Sequence, residues 1–257
     1  HEGRPDLLVA LDHLEAELPE CGAVSLVVSW FGSDLRCGRC RVEPKAEAAD
    51  RSAEPVAWEV CGLTADTARL VSRDPEGRPI FGGTPSDRSV VNAIRELKRR
   101  GQKVMLYPFL LMDIPAGNGL PDPYGRDEQP PFPWRGRITL DAAPGQPGST
   151  DRTAAAADEV AAFFGTARAA DFAVSDGSVA YSGPDELTWR RFALHIAALG
   201  AAAGGVDAIC IGTELRELTT IRSDRTTYSA VGQLIDLAAE VRALLPDAHI
   251  SYAADWS

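Results

Sequence analysis

Carboxylate and indole side chains recur where the apolar, strand-like runs of this sequence end. Trp30, Asp113, Glu214, Asp255 and Trp256 each lie at the carboxyl end of such a run. In α/β sheets and barrels, ligands and chemistry are found at the carboxyl ends of parallel strands. None of these ends carries a histidine or a lysine. The chemistry they could support is therefore that of carboxylates and aromatic rings.

Several enzyme classes are excluded by the residue types that the strand ends lack. A Schiff-base aldolase needs a lysine at a strand end, whereas Lys103 begins its strand. A metal-dependent hydrolase needs clustered histidines, but His13 and His195 lie on predicted helices and His249 opens a strand. No glycine-rich phosphate loop follows a strand, and no histidine is placed for Ser-His-Asp catalysis. We expect neither a metal nor a cofactor.

Glu214 is the most informative of the strand-end carboxylates. It closes the apolar run that begins at Val206, where an unpaired carboxylate would be costly to bury. One interpretation is that it faces a polar pocket and, partly shielded by aromatic rings, acts as a general acid. The other is a structural ion pair with an arginine such as Arg216 or Arg222. The position alone leaves both open.

Tryptophans accompany the carboxylates, as in a carbohydrate site. Trp30 and Trp256 lie at strand ends and Trp134 lies in a long loop, and indole faces stack on sugar rings. The alternative for Trp30 and Trp256 is that they cap the core. Asp113 and Asp255 are candidates for binding sugar hydroxyls, with helix capping or an arginine partner as the alternative.

Alternating strands and helices must position these side chains. The hydrophobic pattern predicts strands over residues 24–31, 79–83, 103–113, 206–215 and 249–256. It predicts helices over residues 6–18, 84–100, 153–164, 184–203 and 228–245, with Thr84 as the N-cap of the second, and a hairpin over 172–181. Strand–helix–strand units with short returns imply parallel strands.

Length and charge limit the architecture and the partners. A complete (β/α)8 barrel needs about 250 residues, and the chain has 257. Two long inserts, 33–76 and 114–150, use much of that length, and five strands are not eight. A net charge of -11 argues against nucleic acid and anionic lipid as direct ligands. No apolar stretch predicts a membrane span or a signal peptide.

Five cysteines make a disulfide framework improbable in a chain of this length. Cys37 and Cys40 form one CxxC without a second pair, and we interpret them as solvent-facing loop thiols.

Four segments together resemble a known domain. Ser29-Trp-Phe-Gly32, Phe81-Gly-Gly-Thr-Pro-Ser-Asp87, Pro133-Trp-Arg-Gly-Arg137 and Ile211-Gly-Thr-Glu-Leu215 resemble the glycoside-hydrolase-like TIM-barrel domain of tail-tip hub ("megatron") proteins of gene transfer agents and tailed phages. The likeness extends from about residue 6 to the last residue.

The resemblance implies an α/β fold, a (β/α)8 barrel of which the chain holds about five βα units, as one domain over residues 1–257. The two inserts would lie at its catalytic face. The Gly-Thr-Glu segment also resembles the fourth-strand acid/base motif of clan A retaining glycoside hydrolases, which assigns the acid/base to Glu214. Thr213 stands where the common clan pattern has asparagine. The nucleophile would follow a seventh strand, beyond Ser257.

Three hypotheses remain open at this stage. The first is a retaining glycosidase acting on host cell-envelope polysaccharide, carried in the tail of a virion-like particle beside other tail-tip proteins and the rest of a longer chain. The second is a catalytically silent structural or glycan-binding module of the tail tip. The third, a flavodoxin-like binding domain, suits five strands but not the residues at their ends.

Overall fold

The longest apolar runs of the sequence form the strands of a parallel sheet around which the helices pack. The computed structural model describes residues 3–49 and 57–255. Its helices are α1 (Asp6–Glu17), α2 (Asp87–Arg99), α3 (Ala154–Phe164), α4 (Trp189–Ala202), α5 (Arg216–Thr220) and α6 (Ser229–Leu244). Its strands are β1 (Ala23–Gly32), β2 (Val42–Glu43), β3 (Lys45–Ala46), β4 (Glu59–Val60), β5 (Leu63–Thr64), β6 (Arg69–Leu70), β7 (Lys103–Met112), β8 (Phe172–Ser175), β9 (Ser178–Tyr181), β10 (Ala208–Thr213) and β11 (His249–Ala253).

The central sheet has the order β11-β10-β7-β1-β2. The first four strands in this order are parallel, and β2 pairs antiparallel with the end of β1. Strands β1 and β7 stay in register over their whole length, from Ala23 opposite Lys103 to Gly32 opposite Met112. The predicted α/β alternation with parallel strands is confirmed. The described residues hold four parallel strands instead of five, and β10, which precedes Glu214, is the third of them along the chain and not the predicted fourth.

The two faces of the sheet differ in what covers them. Along β7, Leu106 and Leu110 are buried beneath α2 and α4, while Tyr107 and Phe109 point to the other face and are half-buried. This alternation follows from the two-residue period of a strand. Trp30, on the helix-covered face of β1, stacks on Phe192 of α4 with ring centroids 4.7 Å apart. The face that carries Tyr107 and Phe109 is thus the less buried of the two faces along β7.

The predicted strand over 79–83 is wrong. Its position in the sheet is occupied by β7, which pairs directly with β1. Residues 79–83 pack instead on the first insert, where the amide of Ile80 donates to the carbonyl of Ser72 at 2.9 Å. A Cβ on Gly83 would lie 2.6 Å from the amide nitrogen of Glu47, so the segment lies against the backbone of β3.

Two predicted helix starts also differ from the structure. Ser86, not Thr84, is the N-cap of α2, and its hydroxyl accepts from the amide of Ser89 at 3.2 Å. Thr84 is buried and donates to the carbonyl of Ser29 at 2.8 Å, so its side chain ties the segment to β1. Helix α4 begins at Trp189, with Thr188 as its N-cap, because residues 184–188 form an irregular turn.

The Cys37 and Cys40 thiols are buried, which corrects the prediction that they face solvent. The short 3-10 turn Cys37–Arg39 places them against the core, and burial raises the pKa of Cys40 to about 12. All five cysteines are free. Within the described ranges, no helix combines the length and hydropathy that crossing a membrane requires.

Candidate functional site

Glu214 turns away from the sheet immediately after β10 ends. Its φ is +46°, in the left-handed region that a non-glycine residue adopts at a cost of about 1–3 kcal/mol. Neighbouring β11 holds this conformation, because the amide of Glu214 donates to the carbonyl of Ala253 at 2.8 Å. The next amide, of Leu215, donates to the Tyr252 hydroxyl at 3.0 Å. The surrounding structure therefore fixes the direction of the Glu214 side chain.

The carboxylate of Glu214 meets two consecutive residues of the second insert. The indole Nε1 of Trp134 donates to Oε2 at 2.9 Å, and Nη2 of Arg135 lies 2.5 Å from the same oxygen. The Glu214 side chain is 26% exposed and that of Arg135 is 9% exposed. Sequence reasoning anticipated the carboxylate and the tryptophan but not the arginine that pairs with them.

Neither arginine suggested by the sequence pairs with Glu214. Arg216 lies 3.8 Å from the carboxylate of Asp255, and Arg222 lies 3.7 Å from that of Asp151. Both are near Glu214 in sequence, whereas Arg135 is 79 residues away. The available signals were the Pro-Trp-Arg-Gly-Arg segment itself and a cation set made almost entirely of arginine.

Local backbone geometry aims the Trp134 indole at Glu214. Trp134 precedes the 3-10 turn Arg135–Arg137, and the amide of Arg137 donates to its carbonyl at 3.0 Å. A Cβ at Gly136 would lie 2.4 Å from the indole ring, so the ring lies directly on this glycine. Trp134 as a whole residue remains 38% exposed, which leaves surface available for stacking.

The Arg135 side chain packs on the face of the sheet that carries Tyr107 and Phe109. Its guanidinium carbon lies 3.8 Å from the centroid of the Phe109 ring, and its Nε donates to the Thr213 hydroxyl at 3.1 Å. Burial lowers the pKa of Arg135, and the adjacent Glu214 carboxylate opposes that shift. The Thr213 hydroxyl donates in turn to the hydroxyl of Tyr107 at 3.1 Å. These contacts connect β7, β10 and the second insert.

The other predicted site residues are dispersed. Trp30 is completely buried, so the structure corrects its predicted role as a wall for sugar and supports the core alternative. The Asp113 side chain is fully buried and accepts from Nζ of Lys45 at 2.8 Å and from the amide of Ser72 at 3.1 Å, which removes it from any ligand. Asp255 pairs with Arg216, and Trp256 lies outside the described residues.

A further aromatic residue, Phe132, precedes Trp134 by two positions in the second insert. Phe132 is 36% exposed and has a φ of +45°. Its ring meets Phe81 edge to face, with centroids 5.7 Å apart, and Phe81 packs on buried Phe31.

No group of three or more histidine, cysteine or acidic residues in the described parts of the chain could hold a metal ion.

Comparison with known proteins locates a family match at this site. Residues 187–257 match the sequence profile of a family described as GTA TIM-barrel-like domain. The match includes β10, Glu214 and β11, and with the parallel βα arrangement it confirms the predicted partial TIM barrel. A comparison with curated protein sequences gives no match.

Two solved structures are similar to the chain as a whole. A complex structure of a GH113 β-1,4-mannanase has 12% identity and a TM-score of 0.49, covering 98% of this chain and 50% of that one. A second GH113 β-1,4-mannanase structure has 13% identity and a TM-score of 0.48, covering 96% and 49%. The chain thus spans about half the length of these structures.

Proposed function

We propose that this chain is the glycoside-hydrolase-like barrel of a tail-tip protein in a phage-like particle, and that its site binds polysaccharide of the host cell envelope. The observation that carries the proposal is the partly exposed Trp134 indole hydrogen-bonded to the Glu214 carboxylate at the carboxyl end of a parallel sheet. An indole face and a carboxylate acceptor side by side suit a sugar ring and its hydroxyls. The tail-tip context rests on the family match and the four motifs.

In the enzymatic form of this proposal, Glu214 is the acid/base of a retaining mechanism. It protonates the leaving glycosidic oxygen and then deprotonates the water that releases the product, while a second carboxylate about 5–5.5 Å away forms the glycosyl-enzyme bond. That second carboxylate would follow a seventh strand, and the sheet described here has four parallel strands. The proposal therefore assigns binding and proton transfer, not the nucleophile, to residues of this chain.

One observation favours the second candidate function, a glycan-binding module without turnover. The Glu214 carboxylate is ion-paired with Arg135, and donating its proton requires that it first become protonated and give up this pair. A charged carboxylate can meanwhile accept hydrogen bonds from sugar hydroxyls without any reaction. Particle adhesion needs only this second capability.

The test is calorimetric titration of the chain with soluble hexasaccharides of β-1,4-linked mannose, glucose and N-acetylglucosamine, and with purified envelope polysaccharide. We expect at least one of them to bind, and Trp134→Ala to weaken binding about tenfold or more, which corresponds to at least about 1.4 kcal/mol of binding free energy. Trp58→Phe is the matched control, since this indole donates to the carbonyl of Thr84 away from the site.

Product analysis separates the two candidate functions. Release of shorter oligosaccharides that Glu214→Gln abolishes supports the enzyme, and binding without release supports the adhesive module. The proposal is refuted if no glycan in the set binds, or if Trp134→Ala binds as tightly as the unmodified chain.

A further inference from the structure

Two donors hold a single oxygen of the Glu214 carboxylate. Trp134 Nε1 and Arg135 Nη2 both contact Oε2, at 2.9 and 2.5 Å. Within residues 3–49 and 57–255, the hydrogen bonds to this carboxylate end on Oε2 and not on Oε1. A carboxylate can accept through both oxygens. The structure therefore distinguishes the two oxygens before any ligand is bound.

The position of Arg135 does not depend on Glu214 alone. The ring of Phe109 supports the guanidinium from one face at 3.8 Å, and the Thr213 hydroxyl accepts from its Nε at 3.1 Å. Its side chain is nine-tenths buried, so few alternative rotamers are open to it. A planar guanidinium that is held on one face by an aromatic ring and at its Nε–H by a hydroxyl is a preorganised partner for a carboxylate.

We propose that Arg135 is a positioning residue that fixes Oε2 of Glu214, so that Oε1 is the oxygen presented to a sugar hydroxyl or glycosidic oxygen. This inference rests on the proposed function, because it specifies how the same site meets its glycan. It assigns Arg135 no direct contact with the ligand. It also makes the second insert, through Trp134 and Arg135 together, the element that sets the geometry of the site.

The threonine at position 213 is part of the same arrangement. Its hydroxyl accepts from Arg135 and donates its only proton to the Tyr107 hydroxyl at 3.1 Å. It has no proton left to donate to a ligand. An asparagine amide, as in the common clan pattern, could donate to a sugar hydroxyl. Thr213 therefore supports Arg135 instead of contacting the sugar.

The first test needs no ligand. In ¹⁵N-labelled protein, the indole N–H resonance of Trp134, assigned with Trp134→Phe, reports the hydrogen bond to Oε2. We expect Arg135→Met to move this resonance towards that of a free indole, and Arg135→Lys to move it less. The indoles of Trp58 and Trp189, which donate to the backbone carbonyls of Thr84 and Ile211, are internal controls and should not move.

The second test is binding of the same three hexasaccharides and envelope polysaccharide. We expect Arg135→Met to weaken binding about tenfold, Arg135→Lys to recover part of the loss, and Thr213→Val to weaken it by a smaller factor because it removes only the support of Arg135. An unchanged Trp134 resonance in Arg135→Met, or unchanged affinity, overturns the inference. If the unmodified chain binds none of the glycans, the proposed function fails, while the resonance still decides whether Arg135 fixes the carboxylate.

Discussion

Replacing Glu214 by glutamine should destabilise this protein, whether or not the site is catalytic. The reason is the ion pair with Arg135, whose guanidinium is nine-tenths buried while the Glu214 side chain is about a quarter exposed. Breaking a fully buried pair costs about 3–5 kcal/mol, and an exposed pair contributes about 0–1 kcal/mol. The exposure of Glu214 places this pair between the two limits, so we expect Glu214→Gln to lower the free energy of unfolding by about 2 kcal/mol.

A double-mutant cycle isolates the pair. Arg135→Met keeps an apolar stem over Phe109 and removes the charge, and we expect it to cost about 2 kcal/mol. In the double variant no charge remains unpaired, so its cost should fall short of the sum of the single costs by about 1–2 kcal/mol.

Urea unfolding followed by far-ultraviolet circular dichroism measures all three variants without relying on tryptophan emission. Single costs that add to within about 0.5 kcal/mol would refute the reasoning, because independent sites behave in that way. If the coupling is found, any activity lost in Glu214→Gln has to be compared at equal fractions of folded protein.

Three further predictions concern residues around the site and the core. Gly136→Ala should displace the Trp134 indole, because the added Cβ would lie 2.4 Å from the ring. Titration calorimetry should then show a loss of glycan affinity like that of Trp134→Ala. Gly38→Ala, whose Cβ would make an ordinary 3.5 Å contact, should bind glycan normally. Gly83→Ala should lower the free energy of unfolding by about 1–3 kcal/mol through a clash with the backbone of Glu47, whereas Gly82→Ala, with open space around it, should change it by under about 0.5 kcal/mol; equal urea midpoints would contradict this. Burial raises the pKa of Cys40 to about 12, so between about pH 9 and 12 the folded state keeps a proton that the unfolded state loses. This thiol therefore makes the urea midpoint fall as pH rises over that range. A Cys40→Ala variant whose urea midpoint falls with pH just as steeply would argue against it.

The local pattern of the sequence predicted most of the elements correctly. The apolar runs after Gly22 and Gly101 became β1 and β7, and the Ala-rich run closed by Gly165 became α3. Such elements are determined locally, because a strand buried on a parallel sheet needs a continuous apolar run and a helix ends where its last residues cannot continue it. The same pattern identified Glu214 as a carboxylate at a strand end.

Tertiary structure alone decided what each side chain of the site contacts. The hydrophobic character of Trp30 suits a sugar platform and a core equally, and it is tertiary packing, including the stack on Phe192 of α4, that buries it. Residues 79–83 have the composition of a strand, but hydrogen bonds with the first insert satisfy their backbone while β7 pairs with β1. Arg135 contacts Glu214, 79 residues later in the chain, because the second insert folds back over the sheet face that carries Tyr107 and Phe109. Sequence thus determined that a carboxylate stands at this strand end, whereas the choice of its partner depended on long-range packing, which no local pattern encodes.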